Sequence, residues 1–324
     1  MKKSIFRALL LLPAILVLSG CMTLVANALT GEGSSDVFTG DPDPELVAGA
    51  LPFAIKIYET LLAARPRHRG LLLTTGSMFV MYANAFVQGP ADLLPRSRFH
   101  EREAARERAK NLYLRGLDIL YRGLELRYRG FSEAFQRGTL DRALARMRRA
   151  DVPLLYWAAA AGLMAYSINP LNMDLGVRIP EFLALIDRAY ELDPYFNNGA
   201  LDDFYVLFYA SVPESLILEG QGCIDCRHGA DRETRIETHF RRALERSGGL
   251  LAGPYVSFAQ SVSIPAQDYD TFRMHLEAAL RIDPDADPSN RLVNIINQRR
   301  ARHLLDSAGN YFIFIPGFYD DWDD

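Results

Sequence analysis

From about position 46 onward, apolar residues recur every three or four positions, the period of one face of a helix. The clearest stretches end alike. Phe182, Ile186 and Ala189 stand four and three apart, and Pro194 follows five residues after the alanine. Phe272, Leu276, Ala279 and Pro284 repeat that spacing, and Ile236, Phe240 and Ala243 repeat it with Gly248 in the place of the proline. Ala54, Tyr58, Leu61 and Pro66 give a fourth copy. A large residue followed one turn later by a small one makes a ridge beside a hollow that a neighbouring helix can enter. Proline or glycine then stops the helix. Units of this kind bury their apolar face by stacking on their neighbours, so the pattern predicts an all-α fold, a tetratricopeptide-like helical-repeat superhelix (an α-α solenoid).

Period and stop signals together predict helices over 46–64, 71–87, 99–128, 132–149, 152–168, 179–192, 200–212, 234–246, 254–264, 269–282 and 290–307. No run alternates with period two between turn signals, so no sheet is predicted. The interval from Ala243 to Ala279 is 36 residues, near the usual repeat of about 34, while that from Ala189 to Ala243 is 54. An inserted loop, 214–232, accounts for the difference, within a helical-repeat domain over 44–310. The Gly-, Ser-, Asp- and Pro-rich segment before that domain reads as the end of a tether over 21–43. The tail, 311–324, is aromatic and then acidic. It reads either as a strap over the last helix pair or as a subunit contact, since so apolar a cluster is costly to expose.

The N-terminus is built differently. Lys2, Lys3 and Arg7 precede an apolar run that ends in "LSGC" at Cys21. Basic residues, a short apolar stretch and small residues before a cleavage point predict a secretory signal over 1–20. The small-small-Cys ending resembles the lipobox of bacterial lipoproteins, which makes Cys21 the expected lipidation site and the membrane anchor. Cleavage of the signal segment removes Lys2, Lys3 and Arg7 and would leave 33 basic residues against 40 acidic ones, a net charge of −7. That balance argues against nucleic acid as a partner. Sign-alternating stretches such as "RSRFHEREAARERAK" read as a solvated helix face.

Chemistry-bearing motifs are few. Cys223 and Cys226 form a C-x-x-C in the insertion, with His228 nearby. A zinc site would need further ligands that the sequence does not pair with it. A thioredoxin-like redox pair belongs where a strand meets a helix. Of the three readings the favoured one is a structural disulfide in an oxidising compartment. No phosphate loop, H-E-x-x-H or G-x-S-x-G is present, so no catalytic residues, metal or cofactor are expected and a binding protein is favoured over an enzyme. In a helical solenoid the concave face binds. The first helices of each pair would line it with Tyr82, Asn84, Tyr156, Trp157, Asp202, Tyr205, Tyr209, Ser257 and Ser261, which join an apolar body or small size to a polar tip.

The stretches "LLYWAAAAGLM", "IPEFLALIDRAYELDPYFNNGALDDFYVLFYASVPES", "FRRALERSGG" and "DPSNRLVNIINQRRARHLL" resemble the T component of TRAP (tripartite ATP-independent periplasmic) transporters, with "NIINQRRARHLL" the most specific of them. The resemblance spans roughly 46–305. It implies a helical-repeat lipoprotein at the periplasmic face of an inner or outer bacterial membrane, whose partner is the transporter's solute receptor and whose groove can take a small-molecule ligand. It also implies self-association, a trimer being the first candidate. Competing classes are a tetratricopeptide scaffold for envelope assembly and, less well supported, a C-x-x-C thiol-disulfide oxidoreductase.

Overall fold

A computed structural model describes residues 36–217, 222 and 231–315. The expected signal segment, Cys21, Cys223, Cys226 and the acidic end of the tail lie outside the described residues. Ten principal helices follow one another: α1 (Pro44–Ala64), α2 (Arg69–Tyr82), α3 (Phe99–Arg127), α4 (Val152–Ile168), α5 (Ile179–Leu192), α6 (Ala200–Ser211), α7 (Arg232–Arg246), α8 (Gly253–Phe258), α9 (Tyr269–Leu280) and α10 (Arg291–Asp306). No strand occurs among the described residues. The starts are chemically marked. The Asp43, Asp231 and Asp268 carboxylates accept from N–H groups of the first turn, and proline occupies that turn in α1, α4, α5 and α8.

Each helix packs chiefly on its sequence neighbours, as stacked helix pairs should. The repeated phrase is the packing face. Phe182, Ile186, Ala189, Phe272, Leu276 and Ala279 are all fully enclosed, and Ala243 and Ile236 are nearly so. The small positions admit backbone. Asn197, Asn198 and Gly199 all adopt positive φ in the turn before α6, and that turn crosses α7 at Ala243, where a Cβ on Gly199 would meet the Ala243 carbonyl oxygen at 3.0 Å. In the fourth copy the phase differs: Tyr58 is buried, while Ala54 and Leu61 are half-buried and Val47, Leu51, Ile55 and Leu62 carry the contact. Glycines set the closest helix approaches. Gly76 of α2 faces Gly116 of α3, and the Phe182 ring of α5 sits on Gly162 of α4.

The last helix returns to the first. Leu292 and Ile296 of α10 share a core with Val47, Leu51 and Phe79, the Arg299 guanidinium bonds Glu45, and Arg291 donates to the Gly40 carbonyl at 3.0 Å. Residues 36–43, which composition assigns to the tether, are therefore packed: Asp36–Thr39 is a helical turn and Phe38 joins the α1 core. Two buried amides on α10 fasten the neighbouring turns. Asn294 accepts from the Ala252 N–H and donates to the Leu250 carbonyl, both at 2.9 Å. Gln298 donates to the Ala279 and Ile282 carbonyls at 3.1 and 2.6 Å, satisfying the end of α9 ahead of its proline.

The helix expected over 132–149 does not form. The segment holds a 3-10 turn at Phe131–Glu133, a short helix at Leu140–Leu144 and a second 3-10 turn at Arg149–Asp151. Glu125 accepts from the Gly130 and Ser132 N–H groups at 2.6 and 3.0 Å, and Gly138 has a φ of 63°, so side-chain capping and a left-handed residue interrupt the periodic stretch. At the C-terminal end, Phe312 and Ile315 are buried, with Phe312 against Tyr269 and Phe272, while Ile313 and Phe314 are exposed.

Candidate functional site

Two helices loosen into π-turns, Ala83–Gln88 after α2 and Ala259–Ser263 after α8. A π-turn inserts one residue per turn and re-aims the side chains that follow, a device common at functional sites. Neither is announced by the sequence, where 71–87 and 254–264 read as uninterrupted helix. They contribute two arcs of a circuit of half-buried side chains, each enclosed by the fold yet retaining contact with solvent.

The circuit can be traced element by element. Asn84 Nδ2 lies 3.8 Å from Met164 Sδ on α4. About two turns earlier on α4 stand Trp157 and Tyr156, their rings 5.1 Å apart and edge-on, with Tyr156 also 5.4 Å from Phe196. Asp203 of α6 comes next, close enough for its charge to act on the Tyr156 hydroxyl, and the Ser257 hydroxyl of α8 acts in turn on Asp203. Ser261 follows four residues later, in the second π-turn. A Cβ on Gly253 of α8 would lie 3.5 Å from Asn297 Nδ2 on α10. Arg300, one turn on, lays its guanidinium over Gly89, whose neighbouring contact is the Asn84 carbonyl, so the circuit closes where it began.

Its electrostatics follow from enclosure. Burial pushes the Asp203 carboxyl up to about 6, only partly offset by the Ser257 hydroxyl, and Asp203 Oδ1 is enclosed without a hydrogen-bond partner among the described residues. Burial likewise raises the Tyr156 hydroxyl and lowers the Arg300 guanidinium, the latter partly offset by Asp92. The arrangement brings together aromatic faces, hydroxyls, amides and one cation.

Of the residues the sequence nominated, Asn84, Tyr156, Trp157, Ser257 and Ser261 belong to this circuit. Tyr82 is half-buried to one side of it, under the Arg108 guanidinium at 5.6 Å from the ring centre. Asp202, Tyr205 and Tyr209 do not line any surface: all three are interior. On α6 they face α7. The Asp202 carboxylate accepts from Arg246 and pairs with His239 Nδ1 at 2.8 Å, and His239 stacks on Tyr205 with centroids 4.4 Å apart. Tyr205 donates to Asp187, whose carboxyl burial raises to about 6. Helical register explains the correction, because Asp203, Leu207 and Ala210 form the half-buried stripe on the other side of α6. Sequence reasoning passed over Asp203, Met164, Phe196, Asn297 and Arg300. The two adjacent carboxyls of "LDDFYVLFYASV", on an otherwise apolar helix, mark that turn without saying which of them faces the circuit. Among the described residues no group of His, Cys, Asp and Glu side chains is placed to hold a metal ion.

The chain is 34% identical over 280 residues to an uncharacterized protein of Treponema pallidum (strain Nichols), an alignment that covers 86% of this chain and 83% of that protein. The family described as TRAP transporter T-component matches residues 40–312. With most of the helical body inside that match, the chain belongs to the TRAP transporter T-component family.

Proposed function

We propose that the mature protein is an accessory lipoprotein, held through acylated Cys21 at the periplasmic face of a bacterial membrane, that docks the solute receptor of a TRAP transporter and offers that receptor's ligand a binding site within the helical body. The observation that carries this reading is the circuit of half-buried aromatic, hydroxyl and amide side chains from Asn84 through Tyr156, Asp203 and Ser257 to Arg300, in a chain of this family. Self-association belongs to the same reading. Leu46, Phe53 and Ile57 form an exposed apolar stripe along α1, and exposed Ile313 and Phe314 lie at the other end of the chain.

A specific protein interface buries about 1,200–2,000 Å² in total, and a handover complex can bury less, with affinity near micromolar, or roughly 8 kcal/mol. The test is sedimentation or calorimetry of this protein with a TRAP solute receptor of the same organism, with and without ligand. Association is expected, weakened by Trp157→Ala with helical content unchanged. No association at about 50 µM, tens of times a micromolar Kd, would sink the transport reading in favour of an envelope scaffold.

A further inference from the structure

Arg300 differs from other partly buried arginines. Arg178 is paired with Glu181 at 2.8 Å, and Arg246 with Asp202. Arg300 makes no hydrogen bond or ion pair with any described residue, yet it sits where burial lowers its pKa. Its guanidinium rests over Gly89, with Cζ 3.5 Å from where a Cβ would stand and Nη2 closer still, so the absence of a side chain there is what admits it. The nearest carboxyl, Asp92, is already engaged: Arg106 lies 3.7 Å away, and burial raises its pKa, against the pull of Arg106, Arg300, Gln88 and Arg102. Gln88 is committed too, accepting from the Tyr113 hydroxyl at 2.7 Å. A guanidinium carries five donors in a planar fork matched to a carboxylate. Left without a partner in a half-desolvated site, it is a cation with its recognition surface unused. Around the circuit from it lie Met164, Trp157 and Tyr156, apolar or aromatic, and the circuit's own carboxyl, Asp203, meets Ser257 on the α8 side.

We propose that Arg300 anchors the carboxylate of a small amphipathic acid bound within the circuit, the acid's apolar body lying against Met164, Trp157 and Tyr156. This rests on the reading of the circuit as a ligand site, and adds the class of ligand and the residue that selects it.

The experiment uses the full chain in nonionic detergent with Trp322→Phe, which leaves Trp157 as its one tryptophan. Cyclohexylacetate, cyclohexylacetamide and cyclohexylethylamine are titrated by fluorescence and by equilibrium dialysis. The acid is expected to bind at least about ten-fold more tightly than the amide, as a charge-assisted bidentate contact implies. The amine is expected to bind more weakly than either. Arg300→Gln should abolish the preference for the acid. Gly89→Ala keeps the charge but displaces the guanidinium, so it should reduce the preference while leaving the melting temperature near that of the parent. Equal affinity for acid and amide, or an unchanged preference in Arg300→Gln, overturns the assignment of Arg300 while the circuit stands as a ligand site. Binding of none of the three probes at about 10 mM, well above a millimolar Kd, overturns both.

Discussion

Gly162 gives a sharp test of how α4 and α5 pack. A Cβ added there would lie 2.5 and 2.6 Å from two Phe182 ring carbons and nearer still to a third, where ordinary contact begins at 3.4 Å. The ring is fully enclosed, with the Arg178 guanidinium 5.0 Å over it, so it has nowhere to swing. Glycine to alanine in a helix interior is otherwise favourable by about 1 kcal/mol, while forcing an extra carbon into a packed core costs about 1–3 kcal/mol. The expected net for Gly162→Ala is a loss of up to roughly 2 kcal/mol, or up to about 8 °C in melting temperature at about 2–4 °C per kcal/mol for a body of this size. Gly49 on α1 is the control, because it has nothing within 4 Å of its Cβ position and Gly49→Ala should raise the melting temperature. Thermal melts followed by circular dichroism decide the matter. A double-mutant cycle with Phe182→Leu should show coupling of at least about 0.5 kcal/mol, since the smaller side chain relieves the clash. If Gly162→Ala stabilises as Gly49→Ala does, the ring is not seated on the glycine and the α4–α5 interface is misplaced.

Asn294→Leu should cost about 2–6 kcal/mol in urea unfolding, because it strands both the Ala252 N–H and the Leu250 carbonyl at about 1–3 kcal/mol each; a loss under about 0.5 kcal/mol would show that α10 does not fasten that turn. The Asp203 carboxyl, pushed up to about 6, keeps a proton in the folded state that the unfolded chain has already released near 3.8. Stability should therefore fall as pH rises between these values. At about 1.4 kcal/mol per pH unit, Asp203→Asn should gain up to roughly 3 kcal/mol over the parent by pH 7 and little at pH 4; a pH-independent difference in denaturant melts would contradict the enclosed carboxyl. Phe53→Asp, at a residue 72% exposed, should leave the melting temperature within about 2 °C and shift sedimentation towards monomer if α1 carries self-association; an unchanged oligomer removes that face from the proposal.

What the sequence made legible was whatever rests on a helix face, and what it hid was whatever rests on which side of the helix a neighbour chose. Phe182, Ile186 and Ala189 were readable because a buried face must be apolar at every turn, and α5 buries that whole face. The choice between Asp202 and Asp203 was not readable, since α6 is apolar nearly all round and packs on α7 by one side and borders the circuit by the other. Composition alone cannot order two adjacent carboxyls on such a helix. The stretch 132–149 failed for a different reason: its period is helical, but a carboxylate from the preceding helix, Glu125, takes the N–H groups at its start. The π-turns at Ala83–Gln88 and Ala259–Ser263 leave no local trace at all, since no proline or glycine is needed to widen one turn.

The run "NIINQRRARHLL" is distinctive because four of its polar residues hold four different places. Asn294 holds the turn before α8, Gln298 the end of α9, Arg299 the start of α1, and Arg300 lies over the glycine that ends the first π-turn. A helix that packed on its neighbours alone would need only an apolar stripe. Here Leu292 and Ile296 serve α1 and Ala301 and Leu304 serve α9, which leaves the polar positions between them to face the interior where the chain closes on itself. Three of the four are engaged with protein, and each has a structural consequence that unfolding measurements read. Arg300 alone has none among the described residues, so its loss should leave stability nearly unchanged while altering what the circuit binds. On the proposed reading one helix divides two roles, structure from Asn294 and Gln298 and selectivity from Arg300.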